Sequence, residues 1–130
     1  MASDATPLVD EKFVSLTTYK KDGDGVPGPM WIAGDGDRLA IWTPADSWKV
    51  KRARRDPRVT LVPCSRSGKV EPGTAPVDGT AEITSDPSVL SRVENALKKK
   101  YGLMYTVVTL MEKIFARGAK PRVVLLIALA

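Results

Sequence analysis

The sequence predicts one mainly β domain of the α+β class, a small antiparallel barrel with helices on its outside. Three observations lead there. Short β-branched and aromatic runs, separated by turns rich in glycine and proline, recur as far as Thr84. From Asp86 the apolar period becomes that of a helix. At Arg122 it changes again, to a continuous apolar run that ends the chain. A length of 130 residues suits a single core, so the reading is one domain over residues 12–130 behind an N-terminal arm, residues 1–11.

The arm is polar and without clear periodicity, which predicts a mobile segment or a short helix. Phe13 to Tyr19 reads as the first strand. Lys20 to Gly25 supplies a turn, and Val26 to Ala33 returns as the second strand. Pro27, Gly28 and Pro29 at its start suit an edge, because proline donates no ladder hydrogen bond. Pro29, Met30 and Trp31 are also candidates to line a flat ligand, with Trp31 as a stacking wall. A turn over 34–37 leads into a third strand, Arg38 to Thr43, and after a short helix Arg58 to Ser65 makes the fourth. The segment 66–76 is a turn-rich connection, and Val77 to Thr84 is the fifth strand. Asp86 caps a helix with Pro87 at its first position and Gly102 at its end. Met104, Val107, Val108, Met111, Ile114 and Phe115 mark a second amphipathic helix closed by Gly118. Lys98, Lys99 and Lys100 read as a solvated helix end. Arg122 to Ala130 is expected as a buried strand in the middle of the sheet or at a subunit interface.

The short helix between strands three and four carries the chemistry. From Lys49 to Arg58 stand six cations and one anion, an excess equal to the +5 net charge of the whole chain. The remainder is electrically balanced, so the excess is local and suits an anionic ligand. Asp46 or Ser47 can cap this helix, and Pro57 stops it. At about 100° per residue, Val50 and Ala53 share the buried side, with Lys49 and Arg52 at its margins. Lys51, Arg54 and Arg55 point the other way, into water.

Composition excludes several chemistries. The chain contains no histidine and one cysteine, which removes imidazole-based triads, the usual imidazole metal sites, thiolate zinc sites and intrachain disulfides. No metal site is expected, and Cys64 reads as a small filler beside the barrel. The first residues lack a basic region followed by an apolar run, and no apolar stretch approaches the roughly 20 residues that span a bilayer. A cytoplasmic protein without membrane contact is expected. A pI near 9.5 suggests nucleic acid, but the basic stretch lacks interleaved aromatics apart from Trp48 and no nucleic-acid motif is present.

The runs Val14-Ser-Leu-Thr-Thr18, Gly28-Pro-Met-Trp31, Leu39-Ala-Ile-Trp-Thr43, the basic helix from Lys49 to Val59, and Gly79-Thr-Ala-Glu-Ile83 resemble the split β-barrel flavin and deazaflavin oxidoreductases. These are the relatives of pyridoxamine phosphate oxidase, and the chain is most similar to the actinobacterial branch that uses the deazaflavin coenzyme F-420. The resemblance runs from Phe13 to the end. It implies an antiparallel, FMN-binding type of split β-barrel, and a homodimer with the cofactor in the groove between barrels. It also implies hydride transfer to a conjugated or unsaturated small molecule; a quinone, a tetrapyrrole or an enone would each serve. By position, Thr43, Ser47, Lys49 and Arg52 would hold the cofactor phosphate, Pro29, Met30 and Trp31 would lie near the ring system, and Lys51, Arg54 and Arg55 would meet the polyglutamate tail. Some relatives carry arginine in place of Ser47 and asparagine in place of Arg52. FMN is the alternative cofactor, and a cofactor carrier without turnover is the alternative role. No catalytic residue is assigned; Tyr101, Tyr105 and Arg66 are conceivable proton sources.

Overall fold

The computed structural model describes residues 8–115 and 121–130. In order, the elements are β1 (Val14–Tyr19), β2 (Gly25–Met30), β3 (Ala33–Asp35), β4 (Arg38–Pro44), α1 (Trp48–Arg55), β5 (Arg58–Pro63), β6 (Val77–Thr84), α2 (Pro87–Tyr101), α3 (Leu103–Phe115) and β7 (Arg122–Leu129). The antiparallel barrel read from the sequence is present as one curled seven-stranded sheet in the order β2-β1-β5-β6-β7-β4-β3, with every pairing antiparallel. The predicted closure at Gly118 lies outside the described residues.

One predicted strand is two. Residues 26–33 carry a continuous extended pattern, yet β2 pairs with β1 while β3 pairs with β4, at opposite ends of the sheet. Only Trp31 and Ile32 join these two edges. A two-residue link cannot span a flat seven-stranded sheet, whose strands lie about 4.8 Å apart, so the sheet must curl until its edges approach each other. The cleft of the split barrel is this junction. Ile32 leaves the ladder: its N–H donates to the Tyr101 hydroxyl at 3.0 Å, which breaks the strand at that point.

Curling gives the sheet an inside and an outside. Val14, Leu16, Leu39, Ile41, Val59, Leu61, Leu125 and Ile127 fill the interior, joined by Ile32 and by Leu8 of the N-terminal arm. The alternate residues Ala40, Val124 and Leu126 face outward and pack under Val93 and Leu97 of α2 and Tyr105 of α3. This two-sided burial explains the unbroken apolar run of β7, which lies between β6 and β4 as expected for an internal strand. Asp86 caps α2 by accepting from the Ser88 N–H at 2.9 Å, and Gly102 ends it at φ 55.

Two surface readings change. Lys100 is no solvated terminus: its Nζ donates to the carbonyls of Val9, Glu11 and Ile32 at 2.8, 2.6 and 2.8 Å, the last of which also receives the Tyr101 hydroxyl at 3.3 Å. And α3 leaves much of its apolar side uncovered. Leu103 and Ile114 are 77% and 62% exposed, and Val107, Val108, Leu110 and Met111 are exposed as well, because the outer sheet face is already occupied by α2. Among the described residues no helix is long and apolar enough to cross a membrane.

Candidate functional site

The site is built where α1 closes one end of the barrel against β1 and β6. Val50 and Ala53 are buried, as the helical spacing predicts, and they fix the rotation of the helix. That rotation puts Lys49 and Arg52 over the barrel rim. Lys49 Nζ donates to Thr43 Oγ1 at 3.3 Å, and Arg52 Nε donates to Thr18 Oγ1 at 2.7 Å. Both threonines are buried. Each cation therefore rests on a neutral hydroxyl, which orients it without neutralising it.

Ser47 occupies the N-cap position with extended backbone, yet its side chain does not cap the helix, and Asp46 does not replace it. The hydroxyl is turned inward instead, and Ser47 Oγ is buried without a hydrogen-bond partner among the described residues. A buried, unsatisfied hydroxyl costs about 1–3 kcal/mol. Electrostatics point the same way. Burial pushes the Lys49 ammonium below its ordinary pKa, and the charges of Arg52 and Arg122 push it further. Lys49, Arg52 and Arg122 thus stand closely enough to repel, and the orphaned Ser47 hydroxyl lies two residues before Lys49 in the chain. That donor set fits a phosphate or another compact oxyanion.

The outward cations divide. Lys51 is exposed, with Nζ 4.5 Å from the ring centroid of Trp48, itself 70% exposed; it does not join Thr43, Ser47, Lys49 and Arg52. Arg54 is exposed too. Arg55 is exposed as expected, and it also donates to the Tyr19 carbonyl at 2.6 Å and so ties α1 to the end of β1.

Pro29, Met30 and Trp31 do share a wall. With Trp42, Arg66, Val108 and Arg122 they border a cavity of about 240 Å³. A larger one of about 640 Å³ adjoins it through the shared residues Phe13, Trp31, Arg66 and Val108. Trp31 stacks one face on Tyr101, with centroids 4.4 Å apart and an interplanar angle of 11°, so that face is closed to a ligand. Trp42 carries Arg122 over its ring at 4.3 Å. Arg122 therefore connects the aromatic wall to the cation cluster, and sequence reasoning missed it. Its signal was present, since it is the one charge in the terminal apolar run, and register places it opposite Pro44, next to the Thr43–Val123 pair. Thr18, the seat of Arg52, was equally unremarked.

Neither conceivable tyrosine donor is free to act. The Tyr101 hydroxyl receives the Ile32 N–H and donates to the Lys12 carbonyl at 2.8 Å, and burial raises its pKa. Tyr105 donates to Glu94 Oε2 at 2.6 Å. Cys64 is a free, half-buried thiol whose pKa burial raises, consistent with a filler.

Residues 5–130 match the family described as pyridoxamine 5'-phosphate oxidase. The chain belongs to that family. Similar solved structures include a conserved hypothetical protein from Mycobacterium tuberculosis, 25% identical with a TM-score of 0.68 over 99% of this chain and 81% of that one. An F-420 reductase is 19% identical with a TM-score of 0.63 over 100% and 95%. The haem storage protein HutZ from Vibrio cholerae is 9% identical with a TM-score of 0.67 over 98% and 92%. No curated protein matches. The pyridoxamine 5'-phosphate oxidase family fold thus serves both redox and haem-holding proteins, and what this member does rests on its own side chains.

Proposed function

We propose that this protein is an oxidoreductase that binds the deazaflavin coenzyme F-420 and reduces a conjugated small molecule. The observation that carries the reading is the seating of Lys49 and Arg52 on the Thr43 and Thr18 hydroxyls with Arg122 near enough to repel Lys49, beside a helix start whose buried Ser47 hydroxyl has no partner among the described residues. Lys49, Arg52 and Ser47 would hold the phosphate, with Thr43 and Thr18 orienting the two cations. Pro29, Met30 and Trp31 would border the ring system. Lys51 and Arg54, exposed beyond the clamp, favour the deazaflavin over FMN: a polyglutamate tail continues past the phosphate as a run of carboxylates, whereas FMN ends there.

When bound, the reduced coenzyme supplies a hydride. The chain's part is binding, orientation and exclusion of water. With both tyrosine hydroxyls engaged and arginine unable to release a proton at neutral pH, the proton that completes reduction of a double bond comes from solvent. A homodimer is part of the proposal, and the uncovered Leu110, Met111 and Ile114 of α3 support it. A haem-holding role would have to do without an imidazole ligand, since the chain has no histidine.

Titration with oxidised F-420 and, separately, with FMN, followed by ligand fluorescence, tests the assignment. Selective deazaflavin binding is expected. Binding of FMN alone moves the protein to the flavin branch, and binding of neither refutes the oxidoreductase reading. Turnover of the reduced coenzyme with candidate acceptors then separates a reductase from a carrier.

A further inference from the structure

The 640 Å³ cavity lies beside the cofactor groove, and its chemistry differs from that of the clamp. Phe13, Trp31, Leu103, Met104, Val107 and Val108 make its wall apolar. One charged group reaches it, Arg66. That residue is placed by a closed turn: the Gly68 N–H donates to the Ser65 carbonyl at 2.9 Å, the Lys69 N–H donates to Ser65 Oγ at 3.1 Å, and the Ser65 N–H donates to the Lys69 carbonyl at 2.9 Å. The turn also rests on β2, because the position of a Gly68 Cβ would lie 3.6 Å from Pro29. Among the described residues none forms an ion pair or hydrogen bond with the Arg66 guanidinium.

An open apolar cavity with a single guanidinium at its border selects for an amphipathic anion. Apolar walls favour a flat hydrocarbon or aromatic body, and the fork geometry of arginine suits a carboxylate at one end of it. We propose that this cavity is the acceptor site, and that it takes flat, largely apolar molecules bearing one carboxylate or similar oxyanion, bound at Arg66. The proposal rests on the oxidoreductase reading for the word acceptor. The shared wall formed by Trp31 and Val108 places such a body next to the groove assigned to the coenzyme ring. Neutral quinones and neutral enones are then poor ligands, and unsaturated aromatic acids are good ones.

Two fluorescent probes that share one aromatic frame test this directly: 8-anilinonaphthalene-1-sulfonate, and the uncharged N-phenyl-1-naphthylamine. The native protein is expected to bind the sulfonate about tenfold more tightly, the size of one charge-assisted contact to a partly exposed guanidinium. Arg66→Gln, on an exposed turn, should remove that preference and leave the neutral probe's affinity unchanged. Val108→Trp, which fills the shared wall, should weaken both. Lys49→Ala with Arg52→Ala should leave both probes unchanged even where it abolishes deazaflavin binding, so a wrong cofactor and a wrong acceptor site give different results. Equal affinities in the native protein, absence of binding by both probes, a preference that survives Arg66→Gln, or a preference lost in the Lys49/Arg52 variant each overturns the proposal.

Discussion

Lys100→Met tests how the cleft is held together. In the native protein the Lys100 ammonium gathers the carbonyls of Val9, Glu11 and Ile32, all within 2.8 Å. This joins the N-terminal segment and the β2–β3 link to the end of α2. Hydrogen bonds from a charged donor contribute about 1.5–3 kcal/mol each, so three would give roughly 5–9 kcal/mol. Burial opposes them: it pushes the Lys100 pKa below the ordinary lysine range, which means that desolvation of the ammonium offsets part of the gain. A net loss of about 3 kcal/mol is therefore expected on substitution. For a domain of this size that corresponds to a fall in melting temperature of roughly 10 °C. Thermal unfolding followed by circular dichroism measures it, with the exposed neighbour Lys99→Met as control. Because Ile32 adjoins Trp31, the stacked pair Trp31–Tyr101 should loosen as well, visible as altered tryptophan emission. A fall below about 2 °C, or an equal fall in the Lys99 control, would show that the three carbonyls are satisfied by water and that the clamp is unimportant.

Ser47→Ala should leave the free protein unchanged or up to about 1 kcal/mol more stable, because it removes a buried orphan hydroxyl, while weakening F-420 about three- to tenfold; unfolding and binding curves read the two effects separately. Coenzyme affinity should fall as pH rises through the depressed pKa of Lys49, in the range below 10.5, and Lys49→Ala should flatten that slope. In the same window the unfolded chain holds the lysine proton more tightly than the folded one, so the free protein's own stability rises with pH there, opposite in sign to the binding trend. At Gly79 a Cβ would lie 2.9 Å from Ile127 Cγ2 and 3.0 Å from the Ala128 carbonyl; Gly79→Ala should cost about 1–3 kcal/mol in chemical denaturation without altering the cation cluster.

Local pattern carried most of the fold. The β-branched and aromatic content of β1, the Asp86–Pro87 start of α2 and the unbroken run of β7 are all short-range features with direct physical causes. The placement of Lys49 and Arg52 was equally legible, because helical rotation is set by Val50 and Ala53 alone. What could not be read depends on chain segments far apart in sequence. The break at Trp31–Ile32 has no local marker, since its cause is Tyr101, 69 residues away. Lys100 reads as solvent-facing until three distant carbonyls are brought to it. The α3 stripe has the spacing of a buried helix, and only the prior occupation of the sheet by α2 leaves it open. Arg122 enters the site through the β4–β7 register, which a single sequence does not give.

The central claim is that Lys49 and Arg52 hold a phosphate. It is tested most directly by comparing the affinity of coenzyme F-420 with that of its phosphate-free deazaflavin chromophore, in the native protein and in the Lys49→Ala/Arg52→Ala variant. Two charge-assisted contacts predict a preference of about a hundredfold or more for the phosphorylated form in the native protein, falling to near unity in the variant. A preference of the same size in both proteins would place the phosphate elsewhere and contradict the account.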